Sequence, residues 1–142
     1  MIELDKEELM KYMPHRDPML LVDRTRMDDD GNAESEYTIP DDPYYTHGHF
    51  PGFPIVPGVI LCEIMAQGSV LLFGERLIGK LALYAGMDKV RFKKSAHPGD
   101  KVIVQARIIS NRDMFVAVEA KATIDGELCA SGQLSFMLID RK

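Results

Sequence analysis

From Val59 to Gly74 the chain reads VILCEIMAQGSVLLFG, and apart from the weakly acidic thiol of Cys62 its only ionisable side chain is Glu63. This stretch constrains the fold more than any other. It predicts a helix from about Pro57 or Gly58 to about Phe73 that is apolar on every side, and such a helix belongs in a core. A single flat sheet covers only one side of it. Either the sheet wraps the helix or a second subunit covers the rest, and both are expected. A carboxylate in such surroundings is costly unless it is paired, protonated or hydrogen-bonded.

Immediately upstream lies His47-Gly48-His49-Phe50-Pro51-Gly52, then Pro54 and Pro57-Gly58. The segment 41–57 is dense in proline, glycine and aromatics. It is too stiff for a floppy linker and reads as an ordered, functional loop. A histidine in such a loop followed by a buried acid points to acid–base chemistry in an apolar cavity.

The flanking sequence supplies the sheet. Asp5 to Met13 predicts a short helix with Leu4, Leu9 and Met13 on its apolar side, ended by Pro14. Met19 to Val22 fits a buried strand, and Ala33 to Ile39 another. Between them, Asp28-Asp29-Asp30-Gly31-Asn32 is a turn. A calcium loop with Gly31 at its sixth position would start at Arg26 and end at Tyr37, neither of which supplies a carboxylate, so calcium is rejected. After the GERLIGK stretch the period changes from helical to alternating. Val90 and Phe92 oppose Lys89, Arg91 and Lys93. Beyond the turn Pro98-Gly99-Asp100, the residues Val102, Val104, Ala106 and Ile108 alternate. Val116, Val118, Ala120, Ala122 and Ile124 follow. Asp125-Gly126 is a hairpin signal, and the return strand carries Leu128, Ala130, Leu134, Phe136 and Leu138 on one face. One long helix with an antiparallel sheet buried on one face makes an α+β domain.

With 142 residues the chain reads as one domain, 1–142. Its net charge of −5 argues against general nucleic-acid binding. No charge-free run reaches the ~18–20 apolar residues of a membrane span. The N-terminus MIELDKEELMK lacks a signal peptide's layout, so a complete cytosolic chain is expected. Cys62 and Cys129 form no CxxC pair, and buried thiols in a reducing compartment are preferred to a disulfide.

The stretch Gly48-His49-Phe50-Pro51-Gly52, Pro54-Ile55-Val56-Pro57-Gly58-Val59, Glu63 and Ala66-Gln67 resembles the signature of bacterial (3R)-hydroxyacyl-ACP dehydratases of the FabZ type. Pro14-His15-Arg16 with Leu20-Leu21-Val22-Asp23-Arg24 resembles that family's N-terminal motif. Ala85-Gly86-Met87-Asp88-Lys89-Val90-Arg91-Phe92 and Pro98-Gly99-Asp100 resemble its later ones. The resemblance implies the hotdog fold: a central helix wrapped by an antiparallel sheet, paired into a double-hotdog dimer, with many members assembled as trimers of dimers. It implies dehydration of 3-hydroxyacyl groups on acyl carrier protein in fatty-acid elongation, without metal or organic cofactor. The chain departs from the family pattern at Asp17, His47, Phe53 and Ala96-His97. His47 and Phe53 lie near the site and leave chain-length preference open.

That chemistry requires a base for the α-proton, an acid for the leaving hydroxyl and a holder for the thioester oxygen. His49 fits the base, since imidazole titrates near neutrality. An HxH metal pair with His47 lacks a third ligand at convincing spacing. Glu63 fits the acid, because burial disfavours its ionised form. The resemblance implies that His49 and Glu63 meet across the dimer interface. Gly58 opens the helix, where free amides receive an oxyanion. Gln67 lies one turn after Glu63 and either orients the carboxyl group or merely satisfies itself. Phe50, Phe53, Ile55, Met65 and Tyr84 are tunnel-wall candidates, with ordinary core packing the stronger reading for each and a gate at the tunnel mouth a further role for Tyr84. An acidic carrier protein needs a local basic patch on this acidic chain. Lys89, Arg91, Lys93 and Lys94 supply it, or else form a solvated strand face. The alternatives to a simple dehydratase are a dehydratase that also isomerises the double bond, which usually has aspartate at the acid position, and a non-catalytic acyl-thioester binder.

Overall fold

The alternating residues bury as a sheet face requires: Val102, Val104, Val116, Val118, Ala120, Ala122, Ile124, Ala130, Leu134, Phe136 and Leu138 are all enclosed. In the computed structural model, which describes residues 2–141, they belong to β5 (Lys101–Arg112), β6 (Phe115–Ile124) and β7 (Glu127–Asp140). β4 (Lys80–Phe92) runs beside β7, and β3 (Asn32–Thr38), β2 (Arg24–Met27) and β1 (Ile2–Asp5) continue beyond β5. The seven strands form one antiparallel sheet in the order β1-β2-β3-β5-β6-β7-β4.

The apolar helix is α2 (Gly58–Gln67). It packs on β5, β6 and β7, and the 3-10 turn that follows touches β2 and β3, so strands from both halves of the sheet meet this segment. The α-helix is shorter than the predicted span to Phe73; Val70–Leu72 and Gly74–Leu77 are 3-10 turns. Gly68 explains the change. A Cβ there would lie 2.9 Å from Val104, so only glycine allows this approach. The Ser35 hydroxyl donates to the Gly68 carbonyl at 2.6 Å and the Ser69 hydroxyl to the Met65 carbonyl at 2.8 Å, competing with the helical ladder.

Three further expectations change. The helix over 5–13 is a single α turn, α1 (Lys6–Leu9), continued to Met13 by turn hydrogen bonds. Asp5 caps it reciprocally with Glu8, while Leu4 belongs to β1. Residues 19–22 are not a strand. Leu20, Leu21 and Val22 are buried, but the Leu21 amide donates to a side chain, Gln67, instead of a neighbouring strand. Leu128 leaves the apolar face because the β6–β7 register shifts after Ala122↔Ala130; both Cys129 and Ala130 are buried and Leu128 turns outward. β1 and β2 were not legible, since the charged Arg24-Thr25-Arg26-Met27 carries little apolar alternation.

Candidate active site

Glu63 lies in the second turn of α2, its side chain 20% exposed. One turn later, buried Gln67 donates from Nε2 to Glu63 Oε2 at 2.8 Å. The same Nε2 donates to the Met19 carbonyl at 2.9 Å, while Gln67 Oε1 accepts from the Leu21 amide at 2.7 Å. These contacts fix the amide's orientation, because a backbone N–H only donates and a carbonyl only accepts. Gln67 therefore always presents a donor to Glu63. Gln67 thereby occupies Oε2 rather than Oε1 of the carboxyl group. It thus both touches the Glu63 carboxyl group and satisfies its own amide on the backbone of residues 19–21.

A cavity of about 210 Å³ opens beside this pair, with His15, Phe73, Ala82, Tyr84 and Phe136 in its wall. The Tyr84 hydroxyl donates to the Cys62 carbonyl at 3.1 Å. Burial, then the neighbouring Glu63, push the Tyr84 phenol well above its ordinary range. Burial likewise raises the Cys62 thiol, with Glu63 adding to the effect. His15 Nε2 stands 3.6 Å from Glu63 Oε2, and its Nδ1 is buried without a partner among the described residues. His15 was not singled out from the sequence as a site residue. Its only signal was its place in the Pro14-His15-Arg16 run.

His49 sits in the loop before α2, between Gly48 and Gly52, whose φ of 75° and 83° lie in the left-handed region that suits glycine. It is half-buried, its amide donates to the Thr46 carbonyl at 3.4 Å, and its ring packs on Phe50 with centroids 4.0 Å apart. Among the described residues no hydrogen bond or ion pair joins His49 to Glu63 of the same chain; the histidine beside Glu63 is His15. His47 pairs with Asp42 at 2.8 Å on the surface.

At the start of α2, the Ile60 and Leu61 amides both donate to the Pro57 carbonyl, and Pro57 offers no side-chain cap. The Gly58 and Val59 amides have no partner among the described residues. A Cβ on Gly58 would meet the Phe92 ring at 3.1 Å, so glycine lets that ring lie against the helix start.

Of the tunnel candidates, only Tyr84 lines the cavity beside Glu63. Met65 is fully buried, Ile55 half-buried, and Phe50 and Phe53 are exposed on the loop. Lys89, Arg91, Lys93 and Lys94 are exposed at the end of β4 and just beyond it. Lys94 pairs with Glu127 at 3.3 Å, while the other three have no carboxylate partner among the described residues.

The family model described as ApeI-like, ApeI dehydratase, matches residues 25–133. The 3-hydroxyacyl-[acyl-carrier-protein] dehydratase FabZ of Streptococcus equi subsp. zooepidemicus is 47% identical over 137 residues, covering 94% of this chain and 96% of that protein. This chain belongs to the FabZ dehydratase family. That is a family of hydro-lyases of fatty-acid biosynthesis. The FabZ of Streptococcus uberis is 44% identical over 138 residues, covering 95% of this chain and 98% of that protein. Among solved structures, the dehydratase heterocomplex ApeI:P from Xenorhabdus doucetiae matches with a TM-score of 0.74 at 20% identity, covering 94% of this chain and 91% of that one. That likeness identifies the hotdog fold. Among the described residues no helix is long and apolar enough to cross a membrane.

Proposed function

We propose that this FabZ-family protein dehydrates (3R)-3-hydroxyacyl groups on acyl carrier protein to trans-2-enoyl groups, reversibly, in fatty-acid elongation. The observation that carries the reading is the carboxyl group of Glu63, the one carboxylate of an apolar helix, hydrogen-bonded by Gln67 at the wall of a cavity. A partly buried carboxyl group with a fixed hydrogen-bond donor is suited to general-acid work.

In this mechanism His49 removes the α-proton. The electron pair left on the α-carbon forms the new double bond as the bond from the β-carbon to its hydroxyl breaks. Glu63 protonates the departing hydroxyl from Oε1, so water leaves and a carboxylate remains. Negative charge developing on the thioester oxygen is received by the Gly58 amide at the positive end of α2. His49 returns its proton and Glu63 regains one before the next turnover. No step calls for a metal or organic cofactor.

The acid and base come from different subunits of a homodimer. Two features support this reading: His49 does not pair with Glu63 of its own chain, and the edge strand β4 exposes Leu83, Tyr84, Met87 and Phe92. Val59, on the first turn of α2, and Phe53 are 74% and 69% exposed, apolar surface that a second copy would cover. Trimers of such dimers are the proposed assembly. Lys89, Arg91 and Lys93, without carboxylate partners among the described residues, form the proposed landing patch for the acidic carrier, with Lys94 at its edge. The buried, unpaired thiols of Cys62 and Cys129 fit a reducing cytoplasm.

Purified protein should dehydrate a 3-hydroxyacyl-ACP or hydrate crotonyl-ACP, and His49→Ala and Glu63→Gln should each abolish turnover while remaining folded dimers. Retained turnover in either variant would remove that residue from the mechanism. A folded wild-type dimer that binds acyl-ACP without turnover over several chain lengths would favour a non-catalytic thioester binder.

A further inference from the structure

The proposed mechanism gives His15 no task, yet it is the histidine that stands against Glu63. Its Nε2 lies 3.6 Å from Glu63 Oε2, the oxygen that Gln67 already holds. This is beyond hydrogen-bond range, and a shift of about half an ångström closes it. The other ring nitrogen, Nδ1, is buried without a partner among the described residues.

That asymmetry selects a protonation state. A proton on Nδ1, in either the neutral or the charged ring, would bury an unsatisfied donor. A proton on Nε2 alone leaves only a bare lone pair buried and aims an N–H at Glu63. The ring is also held from its backbone. The Arg16 guanidinium donates to the His15 carbonyl at 2.7 Å, the Met13 carbonyl at 2.9 Å and the Met10 carbonyl at 3.2 Å.

Resting on the assignment of Glu63 as the acid, we propose that His15 is a positioning residue for it: neutral and protonated on Nε2, it closes on Glu63 Oε2 as the carboxyl group gives up its proton. Two donors, Gln67 and His15, then share the nascent carboxylate. Charge strengthens such hydrogen bonds, so the contact tightens when the acid has fired and relaxes when it is reprotonated. The ionisable groups facing Glu63 are His15 from the N-terminal segment, Tyr84 from β4 and Cys62 from its own helix, with the partner's His49 in the proposed dimer. Gln67, Ala66, Phe73 and Phe136 add no charge to the cavity wall.

The test compares wild type with His15→Phe, His15→Gln and Glu63→Gln in kcat and kcat/KM across pH. Activity is lost on the alkaline side as the acid deprotonates. Removing a donor to the carboxylate makes deprotonation harder, so His15→Phe should move the alkaline limb upward by about one pH unit and lower kcat about tenfold, with KM little changed. His15→Gln, which keeps a donor, should recover most of both. An unmoved alkaline limb in a folded His15→Phe dimer overturns the proposal, as do equal effects of Phe and Gln. Nitrogen-15 NMR of the histidine rings in the wild-type protein gives a second readout that needs no variant to fold. The expected neutral tautomer of His15 carries its proton on Nε2, and a resting imidazolium or an Nδ1–H form overturns the inference. If Glu63→Gln is itself active, the parent mechanism fails instead. If Glu63→Gln is inactive while His15→Phe leaves the pH profile unmoved, only the role of His15 fails.

Discussion

Gln67 and Glu63, one turn apart on α2, share a 2.8 Å hydrogen bond that is controlled from elsewhere in the chain. Gln67's remaining contacts reach back 46 residues to the Leu21 amide and 48 to the Met19 carbonyl. The Glu63 carboxyl group is therefore held by the N-terminal segment acting through a side chain of its own helix.

Gln67→Leu removes the donor to Glu63 and strands two backbone groups, the Leu21 amide and the Met19 carbonyl. Stability should fall by about 2 kcal/mol, since leaving a buried polar group unsatisfied costs about 1–3 kcal/mol. Turnover should fall at least tenfold, by analogy with the loss of other oriented groups. Denaturant unfolding and steady-state kinetics read the two effects separately. Full turnover in the folded variant would return Gln67 to a purely structural role.

Active sites shared between subunits have a stoichiometric signature. Mixing inactive His49→Ala with inactive Glu63→Gln and allowing subunits to exchange should restore activity. In a two-fold dimer each mixed pair carries one site with both residues and one with neither, so equal mixing restores about a quarter of wild-type activity. Continued inactivity after exchange, verified by mass spectrometry, would place both residues of a site in one chain.

Lys93 has no carboxylate partner among the described residues and Lys94 makes only an exposed pair with Glu127. Reversing both to glutamate should leave stability nearly unchanged, as surface pairs contribute about 0–1 kcal/mol. The apparent KM for carrier-bound substrate should rise roughly tenfold at low salt, and the difference should shrink as salt rises. A small thioester analogue should be turned over as by wild type. Equal losses on both substrates would argue that the patch does not dock the carrier.

The Tyr37 and Tyr45 hydroxyls meet at 2.8 Å in the core, and burial is the main cause raising both phenols above their ordinary value. Below about pH 10 they are neutral in folded and unfolded chains alike, and their contribution is fully present. Above it the unfolded chain ionises first, so stability declines as pH rises. Tyr37→Phe should cost about 1 kcal/mol near neutrality and make the alkaline decline shallower. Urea unfolding between about pH 8 and about pH 11 distinguishes this from a decline with the wild-type slope, which would exclude the pair as its source.

Much of the sheet was legible because burial on one face imposes a period of two: β5 and β6 follow their alternation almost residue by residue. What escaped was set by contacts between distant segments. The true end of α2 depends on Ser35 and Val104 crowding Gly68. The missing strand at 19–22 depends on Gln67 taking the Leu21 amide. Leu128 turned outward through a register shift that alternation alone does not reveal. At the site, Glu63 stood out because a lone carboxylate in an apolar helix is chemically conspicuous. His15 did not, because nothing in its local sequence places it 3.6 Å from a residue 48 positions later in the chain.

The clamp on Glu63 also bears on how the protein matures. Glu63 and Gln67 are brought together as soon as α2 winds, but the backbone groups that orient Gln67 belong to a segment synthesised earlier. Leu20, Leu21 and Val22 of that segment gain their burial against a core that β5, β6 and β7 complete later. Contacts of such long sequence separation form against loop-closure entropy and slow folding. Residues 19–21 therefore cannot settle until strands β5 to β7 have arrived, and the Glu63 carboxyl group acquires its hydrogen-bonded geometry only when segments from before and after α2 have closed on the helix.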